Sequence, residues 1–367
     1  ASLTFGFFEA DVALSSLDLP AANVPSWAML FSPLPAPGTI DPVTGTGYHV
    51  DLIGYGVTGS GSDGVTTGLD WRRRAAENML GGLLSFDDLF GFVFGPFGTV
   101  VPQNTYMIDF DDPNDANPFD FDVLRDDALP GEGTTAGGDS GGPLILDAEN
   151  NSGYNENLIL GVLSGGFRFF EPQSFSSYGT TAFYQPLFLH WDWIAANNPY
   201  RYVGATAGDG DWEDGSHWTS LLDPNYRIID ETGQVVAGTP DNPGAGIAGS
   251  SPNLGEVCFD PYPRNDGDVC LDTATSDFFI TGSGAYLDTP NPSPTLENGL
   301  PGATNFVPNN VDPDILGGIY ARYFDVTLSE AGTTTLSSAV EIDRLAMLGG
   351  AGLNIAETGA LTSLIDI

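Results

Sequence analysis

The 367-residue sequence contains no lysine: its ten basic residues are all arginine, set against 49 acidic residues for a formal net charge of −39. That balance excludes nucleic acid and anionic membrane surfaces as partners, since both require a positive face. Charge is also sparse. Only 16% of residues are charged and 41% are hydrophobic, so this is not the composition of a disordered chain. A folded protein with an acidic surface is expected. No run of eighteen or more apolar residues occurs, which predicts no membrane-spanning helix. The opening ASLTFGFFEADVALSSL has neither a basic n-region nor a small-residue cleavage site, so no signal peptide is expected within the sequence. Cysteine is nearly absent. Cys258 and Cys270 stand twelve apart in a stretch rich in Pro, Asp and Gly, with no second Cys or His pair to complete a zinc site. They read as a local disulfide, which contributes roughly 3 kcal/mol or less by chain entropy and implies an oxidising compartment. Two free thiols are the other reading.

What the chain has in quantity is glycine, proline and aromatic residues: Gly 48, Pro 27, Phe 23 and Tyr 13. Many short strands joined by tight turns suit this better than long helices, so an all-β fold is expected, and the length leaves room for two or three domains. Residues 1–200 carry short alternating segments such as His49–Gly56 and Leu158–Leu163, punctuated by glycine. Two helices are expected among them, Trp71–Met79, rich in Arg and Ala, and Leu187–Ala196, closed by Asn197-Asn198-Pro199. Residues 201–319 turn to Asp, Gly, Pro and Asn and read as a loop-rich connector. From 320 to 367 short alternating strands return at Tyr323–Leu328, Thr333–Leu336, Val340–Leu345, Leu353–Ile355 and Ala360–Thr362. Their spacing is that of β-solenoid coils, and the last strand running to Ile367 without a cap leads us to expect that the natural protein continues.

The chemistry-bearing motif is Gly137-Gly138-Asp139-Ser140-Gly141-Gly142-Pro143-Leu144. The GDSGGP core would arise by chance in such a chain with odds of roughly one in a thousand or less. Its glycines allow a tight bend that projects the Ser140 hydroxyl, and the amides of Gly138 and Ser140 can converge on one point as an oxyanion hole.

At these residues the chain resembles the chymotrypsin-like (trypsin-like) serine proteases. Asp11-Val12-Ala13-Leu14 is similar to the family's segment bearing the catalytic aspartate, Leu52–Gly56 to the strand opening the second barrel, and Ser164-Gly165-Gly166 to the substrate-pairing strand. The resemblance implies a serine endopeptidase on a chymotrypsin-like double β-barrel, the first barrel incomplete. Ser140 would be the nucleophile, Asp11 the residue orienting a histidine, and Thr134, Ser164, Gly165 and Gly166 the contacts for a protein or peptide substrate. No cofactor is implied. Thr134 stands where trypsin-like members place the carboxylate for basic side chains, so a neutral or apolar residue before the scissile bond is expected. Asp139 is similar to the carboxylate that shapes the oxyanion hole by pairing with an amine; an upstream terminus and an arginine are both open as its partner.

The family order is His, Asp, Ser, yet only ten residues precede Asp11, and His49, His190 and His217 fall elsewhere. We therefore expect an internal fragment whose histidine lies in an N-terminal piece of the same protein. The chain by itself is expected to be nearly inert. The alternative is a non-catalytic adhesin or structural module on a degenerate protease fold. Residues 202–230, with Gly208–Trp212, His217-Trp218 and Leu222–Tyr226, and Asn305–Asn310 beyond them, resemble the junction and passenger of bacterial serine-protease autotransporters. That second resemblance implies a secreted or bacterial cell-surface protein with an outer-membrane barrel downstream, and His217 as a packed residue of the junction.

One further cluster bears oxygen ligands: Asp109, Asp111, Asp112, Asp115, Asn117, Asp120 and Asp122 crowd an insertion ahead of the motif. Ca²⁺ takes six to eight oxygens and could be held at loop 109–122, but the EF-hand glycine and terminal Glu are missing, which fits a solvated acidic loop.

Overall fold

The computed structural model describes residues 11–15, 17, 21, 24–94, 103–240, 254–259, 269–272, 302–314 and 316–367; the side chains of 94, 254–259 and 269–272 lie outside that description. In chain order the first half holds β1 (Ala28–Leu30), β2 (His49–Gly54), β3 (Thr58–Ser60), β4 (Gly64–Thr67), β5 (Arg74–Met79), β6 (Gly82–Ser85), α1 (Phe86–Phe94), β7 (Asn104–Asp109), β8 (Pro143–Leu146), β9 (Leu158–Phe167), β10 (Thr181–Pro186) and α2 (Trp191–Asn197). The second half holds β11 (Tyr200–Ala205), β12 (Gly210–Asp211), β13 (Trp218–Ser220), β14 (Tyr226–Ile229), β15 (Val235–Ala237), β16 (Leu254–Phe259), β17 (Val269–Asp272), β18 (Tyr323–Leu328), β19 (Gly332–Leu336), β20 (Ala339–Met347), β21 (Ala351–Ile355) and β22 (Ala360–Asp366). The described chain is thus mostly strand with little helix, as the glycine and aromatic content predicts. No described helix is long and apolar enough to cross a membrane.

A large sheet runs in the order β15-β14-β1-β9-β10-β7-β6-β16-β17, with β8 joining β9 to β2 and β2 continuing to β5. The register of β2 on β8 sets Leu52 against Leu144, and that of β8 on β9 sets Leu144 against Gly161. Side chains of these strands, among them Leu52, Leu144, Leu146, Leu158 and Leu160, form the core next to the GDSGGP bend, residues i and i+2 sharing one face. A second cluster fills the space under α1 with phenylalanine: the rings of Phe86 and Phe183 meet edge to face at 4.7 Å and those of Phe121 and Phe169 at 4.9 Å, the arrangement the ring quadrupole favours.

The expected helix Trp71–Met79 is not formed. Trp71 takes φ 61, which interrupts a right-handed helix, and Arg74–Met79 is a strand in register with all of β2, His49 opposite Met79 and Gly54 opposite Arg74. Arg and Ala favour helix only weakly, and here sheet pairing overrides them. Asn78 fixes the choice, its side-chain amide donating to Asp109 O at 2.7 Å and Gly133 O at 3.1 Å. The other helix is present, as a 3-10 turn over Leu187–His190 running into α2.

Residues 200–240, expected as irregular, carry five strands. β14 lies parallel to β1 and extends the large sheet, while β11 and β13 join a separate sheet of order β13-β11-β18-β20-β22. In that sheet β11, β18, β20 and β22 are all parallel, and a second parallel set, β12-β19-β21, stacks beside it. Its core centres on Trp212 and Trp218, both fully buried with rings 4.7 Å apart. Each indole N–H is satisfied, Trp212 by Pro308 O at 2.9 Å and Trp218 by Trp212 O at 2.8 Å. Burial of each contributes up to about 5 kcal/mol by area. Cys258 and Cys270 are register partners across β16 and β17; their side chains, and with them the expected disulfide, lie outside the described residues.

Candidate active site

Strand β8 is entered through the bend 137–142, which takes positive φ at Gly138 (101°) and Gly141 (81°), a backbone that side chains with a Cβ rarely adopt. Strand β9 pins the bend from one side: Gly141 N donates to Leu163 O at 2.9 Å and Leu163 N to Gly142 O at 2.8 Å. From the other side Val57 N donates to Gly137 O at 3.0 Å. Ser140, at the apex, is exposed. Among the described residues the amides of Gly138 and Ser140 donate no hydrogen bond.

Asp139 points the other way, into the sheet. Its Oδ1 accepts from Gly56 N at 2.6 Å and its Oδ2 from Ala136 N at 2.9 Å. A Cβ on Gly54 or Gly56 would fall on this carboxylate, so the two glycines form a collar that only their size permits. Among the described residues its hydrogen-bond partners are two backbone amides, with no direct arginine contact. Charge-assisted bonds of this kind are about twice as strong as neutral ones.

Ser164 follows Leu163 directly and so stands beside the bend. Its hydroxyl donates to Asp11 Oδ2 at 2.7 Å, which brings two of the sequence-derived residues together across 153 positions. Residues 11–15 form no strand. Thr134, Ser140, Gly165 and Gly166 all line one cavity of about 450 Å³, closed by Val57, Phe175 and neighbouring residues, and no charged side chain is in its lining. Sequence reading missed the apolar walls Val57, Val65 and Phe175. They come from the hairpin β3–β4 and a loop that carry no motif.

None of the three histidines joins this group. His49 starts β2, five residues from the Gly54 end that touches Asp139, or about 17 Å at the rise of a strand; it sits between Glu77 Oε2 at 3.6 Å and Asp147 Oδ2 at 3.7 Å. His190 is buried at the start of α2 with Nε2 3.4 Å from Gln185 Oε1, and burial lowers its pKa to about 4. His217 is packed on Trp218, ring centroids 5.5 Å apart, with Nε2 3.0 Å from Thr334 Oγ1.

The acidic insertion divides in two. Asp112 organises a turn, accepting from the amides of Asn114, Ala116 and Asn117 at 3.0, 3.1 and 2.9 Å. Asp115 is exposed. Asp109 and Asp111 instead turn inward and meet Asp126, a residue outside the expected loop, and all three are buried. The cluster is not a solvated loop. Burial first, then neighbouring carboxylates, pushes all three well above the ordinary carboxylate range, and burial raises Glu132 to about 7.

No family model matches the chain, and no curated protein matches it either.

Proposed function

We propose that the chain carries the nucleophile half of a chymotrypsin-like serine endopeptidase. The observation that supports it best is the exposed Ser140 on a bend of positive-φ glycines at the edge of an uncharged 450 Å³ cavity, with Asp11 bonded to Ser164 alongside. In this reading Ser140 Oγ attacks the scissile carbonyl and loses its proton to an imidazole, which returns it to the leaving amine; water then hydrolyses the acyl-enzyme. The amides of Gly138 and Ser140 stabilise the oxyanion, and Asp11 orients the imidazole. That imidazole comes from a segment outside this sequence, since His49, His190 and His217 are committed elsewhere. The uncharged cavity takes a small or medium, neutral or apolar side chain. A peptide library should show faster cleavage after Ala or Leu than after Arg.

The parallel strands β11, β18, β20 and β22 are, in the same reading, the opening coils of a β-solenoid that carries the protease on a secreted or surface-displayed protein. The second reading, a non-catalytic surface module, is favoured by the absence of any of the three histidines from the bend. Fluorophosphonate labelling of the full-length source protein separates the two. Labelling that disappears in Ser140→Ala supports the endopeptidase; a full-length protein that neither labels nor cleaves casein supports the scaffold.

A further inference from the structure

Asp111 is 2% exposed, and neither of its carboxylate oxygens accepts a hydrogen bond; Oδ2 of Asp126, also 2% exposed, accepts none. These oxygens face each other and Asp109: one ligand atom from each of the three residues lies within 4.8 Å of the others. Leaving buried carboxylate oxygens unpaired is costly, and placing three such groups against one another adds repulsion. The backbone holds them there nonetheless. Asp109 ends β7 and its Oδ2 accepts from Leu124 N at 2.9 Å, which ties down the segment leading to Asp126. Glu132 braces the other side, accepting from Asp111 N at 2.8 Å and Leu129 N at 2.7 Å.

The geometry points to a Ca²⁺ site formed by Asp109, Asp111 and Asp126. The donor set is all oxygen and all anionic, which suits a hard cation and not zinc or copper. Mg²⁺ dehydrates reluctantly and keeps several waters, whereas these oxygens are buried, and Ca²⁺ accepts irregular coordination. Asp111 and Glu132 also line a cavity of about 500 Å³ that provides an approach for the ion and for completing waters. Its other wall includes Thr134, Ala136 and Asp139, so the bound ion would stiffen the stretch between the acidic cluster and the Ser140 bend. The site stands on these carboxylates alone and does not depend on the endopeptidase reading.

The test is titration of CaCl₂ into the full chain after EDTA treatment, read by calorimetry and by thermal melting, with MgCl₂ in parallel. One ion should bind, and at a hundredfold excess over its dissociation constant the melting temperature should rise by about 3–5 °C, with Mg²⁺ giving a smaller rise. Asp111→Asn should melt higher than the unmodified chain in EDTA, because a buried like charge is gone, and should lose the Ca²⁺ response. Asp126→Asn should behave alike. No calorimetric binding at 10 mM CaCl₂, or a Ca²⁺ response that survives in Asp111→Asn, overturns the site. Should either variant fail to fold, crystals of the unmodified chain grown with CaCl₂ decide: an ion roughly 2.3–2.6 Å from all three carboxylates supports it, and density without an ion there refutes it.

Discussion

Around the GDSGGP bend, held up by strands β2, β8 and β9, lie positive-φ glycines, a carboxylate ringed by amides and two cavities, with a cluster of buried acids beyond the end of β7. The stack of β18 to β22 also turns on positive-φ glycines, at Gly332, Gly349 and Gly350, but has no such cluster of acids among its described residues. It repeats one parallel pairing, with a register shift only between Ile342 and Arg344 where β20 meets β22, over a core of Trp212, Trp218, Val326, Leu336 and Ile342. Both regions are strands on an apolar core. The first shapes a surface, and the second is organised around packing and ladder hydrogen bonds. Substitutions should therefore sort by region: in the stack they act on folding, and around the bend they act on the Ser140 hydroxyl.

The largest effect is expected from Trp218→Ala, which empties the fully buried centre of the stack and removes the bond to Trp212 O. It should cost about 3–5 kcal/mol in denaturant unfolding, and an unchanged midpoint would mean the stack does not depend on that core. Next comes acid. Because the His190 imidazole is held neutral, with its pKa lowered from 6.5 to about 4, the unfolded chain binds a proton that the folded chain refuses in that window. Its contribution is full above pH 6.5 and is lost as pH falls toward 4, up to ~3 kcal/mol. In His190→Phe, unfolding curves from pH 7 to 4 should lose that part of the acid slope.

Gly54→Ala sharpens the contrast. The added Cβ meets the Asp139 carboxylate, so about 1–3 kcal/mol of stability should go, and with it the fluorophosphonate reactivity of Ser140 in the full-length protein. Reactivity that survives would separate the collar from the bend. The smallest effect belongs to Arg74→Ala. Its bidentate pair with Asp70, at 2.8 and 2.6 Å, is solvent-exposed, and the melting temperature should not move measurably.

The stack was the more legible region. Its alternation of Thr, Val, Ile and Leu with polar residues announces each strand, and β18 to β22 fall where the pattern predicts. Alternation alone is the same for either direction, so parallel pairing was legible only through the solenoid-like spacing of the strands. Around the bend the motif was legible because glycine and serine chemistry is local. Asp11 and Ser164 were legible only by resemblance, and the cavity walls at Val57 and Phe175 were not, because nothing local marks them. Arg74–Met79 misled because its helix-forming residues are outvoted by a six-residue pairing with β2. The acidic cluster misled in a different way. Aspartate is taken as a surface residue, and only the fold shows Asp126 arriving opposite Asp109 and Asp111 from beyond the insertion.

Because the Asp139 carboxylate is gripped by the main-chain amides of Gly56 and Ala136, the turn it anchors takes shape as soon as β2 docks. Both donors are main-chain groups, so no side-chain truncation on the donor side removes the grip.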